Sequence, residues 1–381
     1  VSAHDDATGA LVDEIARRVH RHGPRSFAEV MDLALYDEAA GFYAGSGGRA
    51  GRRGDFLTSP EVGPLFGAVM ARALDEWWEE LDRPDPFVVI EGGAGPGALA
   101  ASVLAAAPRC LTALTWVLVD RSAAQRQVQA ARLTLVEPFV ALPPVVDGDA
   151  LAPGTGPRLT SLADLPAGRH VGVVLANELL DNVPFDVVER TDRGWAEVRV
   201  TVDDGALGEI HVPVDERRAH LLDALLPDAA PGSRLPVQDG AAGWLRDALD
   251  VLESGRVVVV DYVASTAELA ARGHGWLRTY RAHGRGDGPL EALGTQDITA
   301  DVDVDQLGRV RRPDVQRTQA AFLAAHGMDD LVTEGRRIWH ERAHVGDLAA
   351  VRARSRVREA EALADPTGLG AFGVLEWIVT P

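Results

Sequence analysis

Four uninterrupted apolar runs recur along the chain: "FVVIE" (87–91), "TWVLVD" (115–120), "VGVVLANE" (171–178) and "RVVVVDY" (256–262). A strand with one wet face alternates apolar and polar residues. A continuous aliphatic run needs cover on both faces, which a parallel sheet with helices packed on either side supplies. The expected fold class is therefore α/β, an open, doubly wound sheet. "PVVDGD" (144–149) is a weaker candidate strand and "AFGVLEWIV" (371–379) reads as the last one. "VPFDVVER" (183–190) and "GWAEVRV" (194–200) read as a hairpin hung from the run at 171–178. The Pro/Gly-rich passage 227–243 is expected to be a surface connection.

Ahead of the first run, residues 8–22 and 26–36 have helical spacing, the second helix starting at a Ser26 cap. The loop "GSGGRAGRRGDFLTSPE" follows, and Ser59-Pro60-Glu61 then opens a helix whose apolar positions run from Val62 to Trp77. The expected organisation is a helical N-terminal region with a covering loop over 1–85, a ligand-binding core over 86–263, a mixed α+β insertion on the substrate side over 264–345, and a C-terminal helix and last strand over 346–381.

Composition excludes several chemistries. A formal charge of −19 over 381 residues argues against general nucleic-acid binding, because a phosphate backbone would be repelled. None of the 38 basic residues is lysine, which excludes a Schiff-base enzyme and a P-loop. The single cysteine, Cys110, cannot by itself form a disulfide, a Cys-rich zinc site or an iron–sulfur cluster, and it reads as a small buried apolar residue. The chain has no apolar run of membrane-spanning length and no signal-peptide pattern at its start, so a cytoplasmic protein with no membrane partner is expected.

The first run leads into "EGGAGPGAL" (91–99). In doubly wound sheets the ligand lies beyond the carboxyl ends of the strands, and those ends carry Glu91, Asp120, Asp149 and Asn177-Glu178. The spacing of Gly93, Gly95 and Ala98, with Asp120 downstream, also fits a dinucleotide fingerprint. Two details favour another adenosyl ligand. Pro96 offers no N–H to a pyrophosphate, and Glu91 would repel one. S-adenosylmethionine carries an ammonium, a sulfonium, two ribose hydroxyls and an adenine amine, and no phosphate. On that reading Asp120 takes the ribose hydroxyls, Asp149 the adenine amine and Glu91 the ammonium side, over Gly93, Gly95 and Gly97. The plainer alternative is that these acids only terminate strands in an acidic protein.

"GDFLTSPEVG" (54–63), "EGGAGPGAL" (91–99), "ANELLDNVPFDVV" (176–188), "VVVVDY" (257–262), "GWLRTYRAH" (275–283) and "QDITADVDVDQL" (296–307) occur together and in order. With these motifs the chain resembles the class I SAM-dependent methyltransferases of the MidA/NDUFAF7 family over roughly residues 24–378. The resemblance implies a Rossmann-like methyltransferase sheet, S-adenosyl-L-methionine as cofactor and a protein arginine substrate, since the family's mitochondrial member methylates a subunit of respiratory complex I. The sequence departs from the family in three places. Glu91-Gly92-Gly93-Ala94-Gly95 replaces the usual Glu-Leu-Gly-Pro-Gly, Leu179-Leu180 replaces Phe-Phe, and Gln296 stands where His is common.

A guanidinium has five donors and no acceptor, so carboxylates must hold it. Glu178 and Asp181 are the candidate catalytic residues. Glu178 has a cofactor-binding alternative and Asp181 a turn-capping one. Asn177 is assigned to the cofactor. Asp55, Thr58, Ser59 and Glu61 are candidates to close over the methionine end, although a helix start also accounts for Ser59 and Glu61. Asp297 joins on the substrate side through the resemblance. Competing readings are a small-molecule methyltransferase, a non-catalytic assembly factor, an NAD(P) oxidoreductase, and a zinc hydrolase. The last rests on His340-Glu341-Arg342-Ala343-His344, an H-E-x-x-H pattern read here as coincidence, so that no metal is expected.

Overall fold

A computed structural model describes residues 3–44, 58–143, 153–281, 284–345 and 347–381. The chain folds as two compact units interleaved in sequence. One comprises 1–56, 179–246 and 262–312, and the other 57–178, 247–261 and 313–381. The consecutive segments read from the sequence cut across this interleaving: 179–246, placed in the core segment 86–263, lies with the N-terminal helices.

The second unit is built on a seven-stranded sheet. Numbered along the chain within that sheet, its strands are β1 (Phe87–Gly92), β2 (Leu114–Val119), β3 (Arg158–Leu162), β4 (His170–Asn177), β5 (Leu252–Asp261), β6 (Val315–Thr318) and β7 (Gly373–Val379). The order across the sheet is β3-β2-β1-β4-β5-β7-β6. From β3 to β5 every pairing is parallel, and β7 runs antiparallel to both β5 and β6. Every residue of β1 and β2 is buried, as the unbroken apolar runs require. From β1 the chain moves to one side through β2 and β3, and from β4 to the other through β5. The gap between β1 and β4 is thus the topological switch point, where open α/β sheets bind their ligands.

Three differences from the sequence reading have physical causes. The segment 144–149 lies outside the described residues, and the strand beside β2 is instead Arg158–Leu162. That strand ("RLTSL") is an edge strand with only Leu159 and Thr160 buried, so it lacks a continuous apolar signature. The helix expected to run on from Ser59 is broken into Ser59–Val62 and Pro64–Glu80. Gly63 is extended between them, as the residue before a proline prefers. Finally, the passage 227–243 contains a buried strand, Arg234–Val237. It lies at a sheet edge, where Pro236 forfeits no ladder hydrogen bond.

The first unit is built around an antiparallel sheet ordered Arg25–Ser26, Gly194–Asp203, Asp186–Thr191, Arg234–Val237, with Ala206–Pro213 also paired to Gly194–Asp203. The expected hairpin is present, with Val187 opposite Val198. Helices Ala3–His22 and Phe27–Tyr36 contribute Leu11, Ile15, Phe27 and Met31 to a core shared with Val198 and Val200. The second helix starts where its sequence says. Ser26 Oγ accepts from the Glu29 amide at 3.2 Å and Glu29 Oε2 accepts from the Ser26 amide at 3.1 Å. Replacing Ser26 by Ala removes half of this reciprocal cap and is expected to cost ~1 kcal/mol in denaturant unfolding monitored by circular dichroism, with the m-value unchanged.

Candidate active site

The glycine loop leaves β1 through three left-handed residues, Gly93 (φ 64°), Gly95 (φ 50°) and Gly97 (φ 72°), a backbone path that side-chain-bearing residues rarely follow. It is clasped at Gly95. The Gly95 amide donates to Asp120 Oδ2 at 2.9 Å, and its carbonyl accepts from Gln129 Nε2 at 2.8 Å. Ser161 on β3 fixes Gln129 in turn, donating to its Oε1 at 2.6 Å. Asp120, just past β2, also accepts from the Ser122 amide through Oδ1 at 2.9 Å. Burial pushes the Asp120 carboxyl up, against the lowering effect of these two amides. A Cβ added at Gly95 would meet only Gly93 O, at 4.0 Å, so the outer face of the loop is open for close approach. The helix after the loop begins at Ala98 with Gly97 as its N-cap. Pro96 therefore precedes the cap and removes no donor from the helix's first turn, contrary to the sequence reading.

Glu91, at the mouth of this loop, is 5% exposed, and Trp116 Nε1 donates to its Oε2 at 2.8 Å. Desolvation raises its carboxyl to about 8; the Trp116 indole pulls it down and the Asp120 charge pushes it up. Burial thus works against the standing negative charge expected of this acid.

β4 ends in Asn177, and Glu178 follows at φ 52°, a left-handed conformation unfavourable for a residue with a side chain. The Glu178 amide donates to Val260 O at 2.8 Å. Its Oε1 accepts from Asn177 Nδ2 at 3.0 Å and from the Ser59 amide at 3.2 Å. Asn177 Oδ1 is buried and meets no donor among the described residues. An orphan acceptor beside a fixed carboxylate suits a cationic, donor-rich ligand group. Ser59 is fully buried and its hydroxyl donates to Gln319 Oε1 at 2.9 Å, so it serves this site through its backbone. Glu61 Oε2 accepts from the hydroxyl and amide of Thr58 at 2.9 and 3.2 Å, a capping box that accounts for both residues locally. Asp55 and Asp149 lie outside the described residues.

In the other unit, Asp181 and Asp297 are buried in one polar cluster. Asp181 Oδ2 accepts from Thr299 Oγ1 at 2.7 Å. Asp297 Oδ1 accepts from Tyr43 OH at 3.2 Å, Asn182 Nδ2 at 3.0 Å and the Ile298 amide at 3.0 Å. Desolvation first, and then the Asp181 charge, raises the Asp297 carboxyl to about 7; burial likewise raises Asp181. Gln296, where the family's histidine is usual, ties a loop: its Oε1 accepts from the Asp287 amide and its Nε2 donates to Gly288 O and Glu291 O, all at 2.8–2.9 Å. The sequence reading missed Trp116, Gln129, Ser161, Tyr43 and Asn182. Each acts through a partner distant in sequence; Trp116 lies in the apolar run 115–120 and Asn182 in the motif 176–188, but neither pattern marks them as site residues.

The H-E-x-x-H segment does not lie on one helix. The helix ends at Arg342, so His344 is outside it, and Glu341 pairs with Arg337 at 2.7 Å. Glu359 caps the Leu65 amide at 2.9 Å. Among the described residues no group of His, Cys, Asp and Glu is placed to hold a metal ion. Cys110 is buried, and its thiol is pushed up to about 12 by desolvation, which leaves it inert.

The family model for S-adenosyl-L-methionine-dependent methyltransferases matches residues 69–321, and the chain belongs to that family. Curated relatives include the protein arginine methyltransferase NDUFAF7, mitochondrial, of Mus musculus, 28% identical over 355 residues that cover 86% of this chain and 76% of the relative. The Homo sapiens protein of that name is 27% identical, over 84% of this chain and 74% of the relative. Among solved structures, a COG1565 superfamily member from Burkholderia thailandensis bound to S-adenosyl-homocysteine superposes with a TM-score of 0.82 at 26% identity, over 100% of this chain and 94% of that one. The protein is a SAM-dependent methyltransferase. Its antiparallel β7 between β5 and β6 also departs from the all-parallel 3-2-1-4-5-6 order of dinucleotide-binding sheets.

A Glu91 carboxyl raised from 4.5 to about 8 in the folded state makes the unfolded chain lose its proton first, so this group lowers stability progressively as pH rises between those values. Glu91→Gln, which keeps an acceptor for Trp116, is expected to melt above the wild type at pH 8. The gap should close as pH falls toward 4.5. Parallel melting curves at both pH values would contradict the assigned burial.

Proposed function

We propose that this protein transfers methyl groups from S-adenosylmethionine to an arginine side chain of a protein substrate. The observation that carries the arginine assignment is the similarity, over more than four-fifths of the chain, to relatives named protein arginine methyltransferases. The geometry is compatible with it. The residues assigned to the cofactor are Gly93, Gly95, Gly97, Asp120, Glu91, Asn177 and the segment Thr58, Ser59 and Glu61. The open outer face of Gly95 and the orphan Asn177 acceptor fit an unphosphorylated, cationic adenosyl compound. When bound, that compound supplies an electrophilic methyl on a sulfonium.

The chain's own residues must do the rest. A guanidine nitrogen has to approach in line with the carbon–sulfur bond. As the N–C bond forms, the C–S bond breaks and the nitrogen gives up one proton. Glu178 is the residue assigned to orient that nitrogen, because two donors and a left-handed backbone fix its carboxylate. Asp181 and Asp297 are assigned to hold the positive charge of the acceptor. A cytoplasmic location is part of this reading, supported by composition alone; among the described residues no helix is long and apolar enough to cross a membrane.

The test is incubation of the purified protein with a lysate and methyl-labelled SAM, followed by hydrolysis of the labelled fraction. Label recovered in protein as methylarginine is expected, and Glu178→Gln should lower its rate of appearance by ~100-fold. Label confined to small molecules, or to another amino acid, would refute the arginine assignment.

A further inference from the structure

Asn182 has no role in the reading above, yet its side chain bonds to several members of the buried cluster around Asp297. Its amide donates through Nδ2 to Asp297 Oδ1 and to Ile298 O, both at 3.0 Å. Its Oδ1 shares the single Tyr43 hydroxyl hydrogen with Asp297 Oδ1, at 3.3 and 3.2 Å, and its own carbonyl accepts from Tyr36 OH at 3.1 Å. The Tyr36 and Tyr43 rings stack with centroids 5.5 Å apart at 22°. Asn182 therefore joins three segments distant in sequence: the end of helix Phe27–Tyr36 and its following turn, the short helix Leu180–Asn182, and the strand Asp297–Ala300. On that strand Asp297 and Thr299 are two apart and share a face. Asp297 is bound to Asn182 and Thr299 to Asp181, so two adjacent residues of the short helix are laced to one face of the strand.

We propose that Asn182, with Tyr43, is a positioning residue that holds Asp297 beside Asp181 in the geometry that receives the cationic methyl acceptor. This rests on the assignment of those two acids to the acceptor. Only an amide can perform the task at this place, since it must donate to a carboxylate and a carbonyl while accepting from a phenol. Asp297 Oδ1 takes all three of the hydrogen bonds that Asp297 accepts among the described residues, which leaves Oδ2 available for a ligand.

The charged and titratable groups around Asp297 are Asp181 and Tyr43, with Tyr36 stacked beyond. Asp181 is itself influenced by Arg278 and Asp301. Arg278 and Arg272 both pair with Asp301, and Arg278 lies 4.5 Å over the Tyr262 ring, so those two cations are already engaged. Hydrogen bonds from Asn182 and Tyr43 favour the ionised form of Asp297, while burial and the Asp181 charge oppose it. Losing Asn182 should therefore make Asp297 harder to ionise.

The experiment compares wild type, Asn182→Ala, the isosteric Asn182→Asp and Tyr43→Phe in methylation of an arginine-bearing protein substrate across pH. For Asn182→Ala the expected result is KM raised ~10-fold or more with kcat within about threefold, and the acidic limb of kcat/KM moved up by about one pH unit, the size of one charge-assisted hydrogen bond. S-adenosylhomocysteine affinity should be unchanged. Asn182→Asp keeps the shape but exchanges the donor for a third carboxylate, so it should be at least as impaired; a purely steric role would leave it like wild type and overturn the proposal. If Asn182→Ala does not fold, Tyr43→Phe decides. It should give a smaller change in the same direction, and wild-type KM and pH profile in it would overturn the proposal. A wild type that labels no arginine sinks the proposed substrate instead. The 13C titration of the Asp297 carboxyl, assigned with Asp297→Asn, then stands alone: a midpoint raised by about one unit in Asn182→Ala supports the proposal, and an unmoved midpoint overturns it.

Discussion

The hydrogen bond from the Gly95 amide to Asp120 is the contact on which the ligand-binding unit depends. It joins the loop after β1 to the end of β2 across 25 residues, and the Gln129 side-chain amide closes the clasp on the carbonyl of the same residue. A loop with left-handed glycines at three alternate positions, Gly93, Gly95 and Gly97, would otherwise be entropically costly to order. With both polar groups of Gly95 engaged, the loop stands at the β1–β4 switch point as a fixed floor. The same carboxylate that fixes it is the one the sequence assigns to ribose hydroxyls, and each of its oxygens can accept a second hydrogen bond. Scaffold and recognition share one side chain.

The acids of the two units are treated differently by their surroundings. Glu91 and Asp120 terminate fully buried strands, and burial weighs against their charge. Glu178 is positioned by an amide side chain, a backbone N–H and a left-handed backbone. Asp181 and Asp297 are buried together, and burial and the Asp181 charge penalise ionisation of Asp297, which the Tyr43 hydroxyl and the Asn182 amide partly offset. A rim simply lined with negative charge, as composition suggests, is too plain a description. Desolvation raises these buried carboxyls, and a nearby cation would favour their charged forms.

What was legible in the sequence follows from how local each cause is. Strands buried on both faces wrote continuous apolar runs, so β1, β2, β4 and β5 could be read directly, and the Ser26 cap and the 186–200 hairpin are short-range devices. β3 was hidden because an edge strand carries polar residues on its wet side, and Arg234–Val237 because Pro236 and nearby glycines mask a strand of four. The break at Gly63 came from Pro64 together with a distant acceptor, Glu359, which no local pattern reveals. The candidate site divides the same way. Glycines and strand-end acids follow from spacing, whereas Trp116, Gln129, Ser161, Tyr43 and Asn182 are set by tertiary contacts. Pro96 lies before the Gly97 helix cap, not in the first turn, which removes one argument against a pyrophosphate, and strand order and family membership supply better ones.

The central claim is that the clasped glycine loop and Asp120 form a seat for an unphosphorylated adenosyl cation. Titration calorimetry on wild type and Asp120→Ala, with S-adenosylhomocysteine and NADH as ligands, tests it most directly. The account predicts that wild type binds S-adenosylhomocysteine, that the variant binds it at least ~10-fold more weakly through loss of charge-assisted hydrogen bonds, and that NADH gives no heat of binding in either. Undiminished affinity in the variant, or saturable binding of NADH, would contradict it.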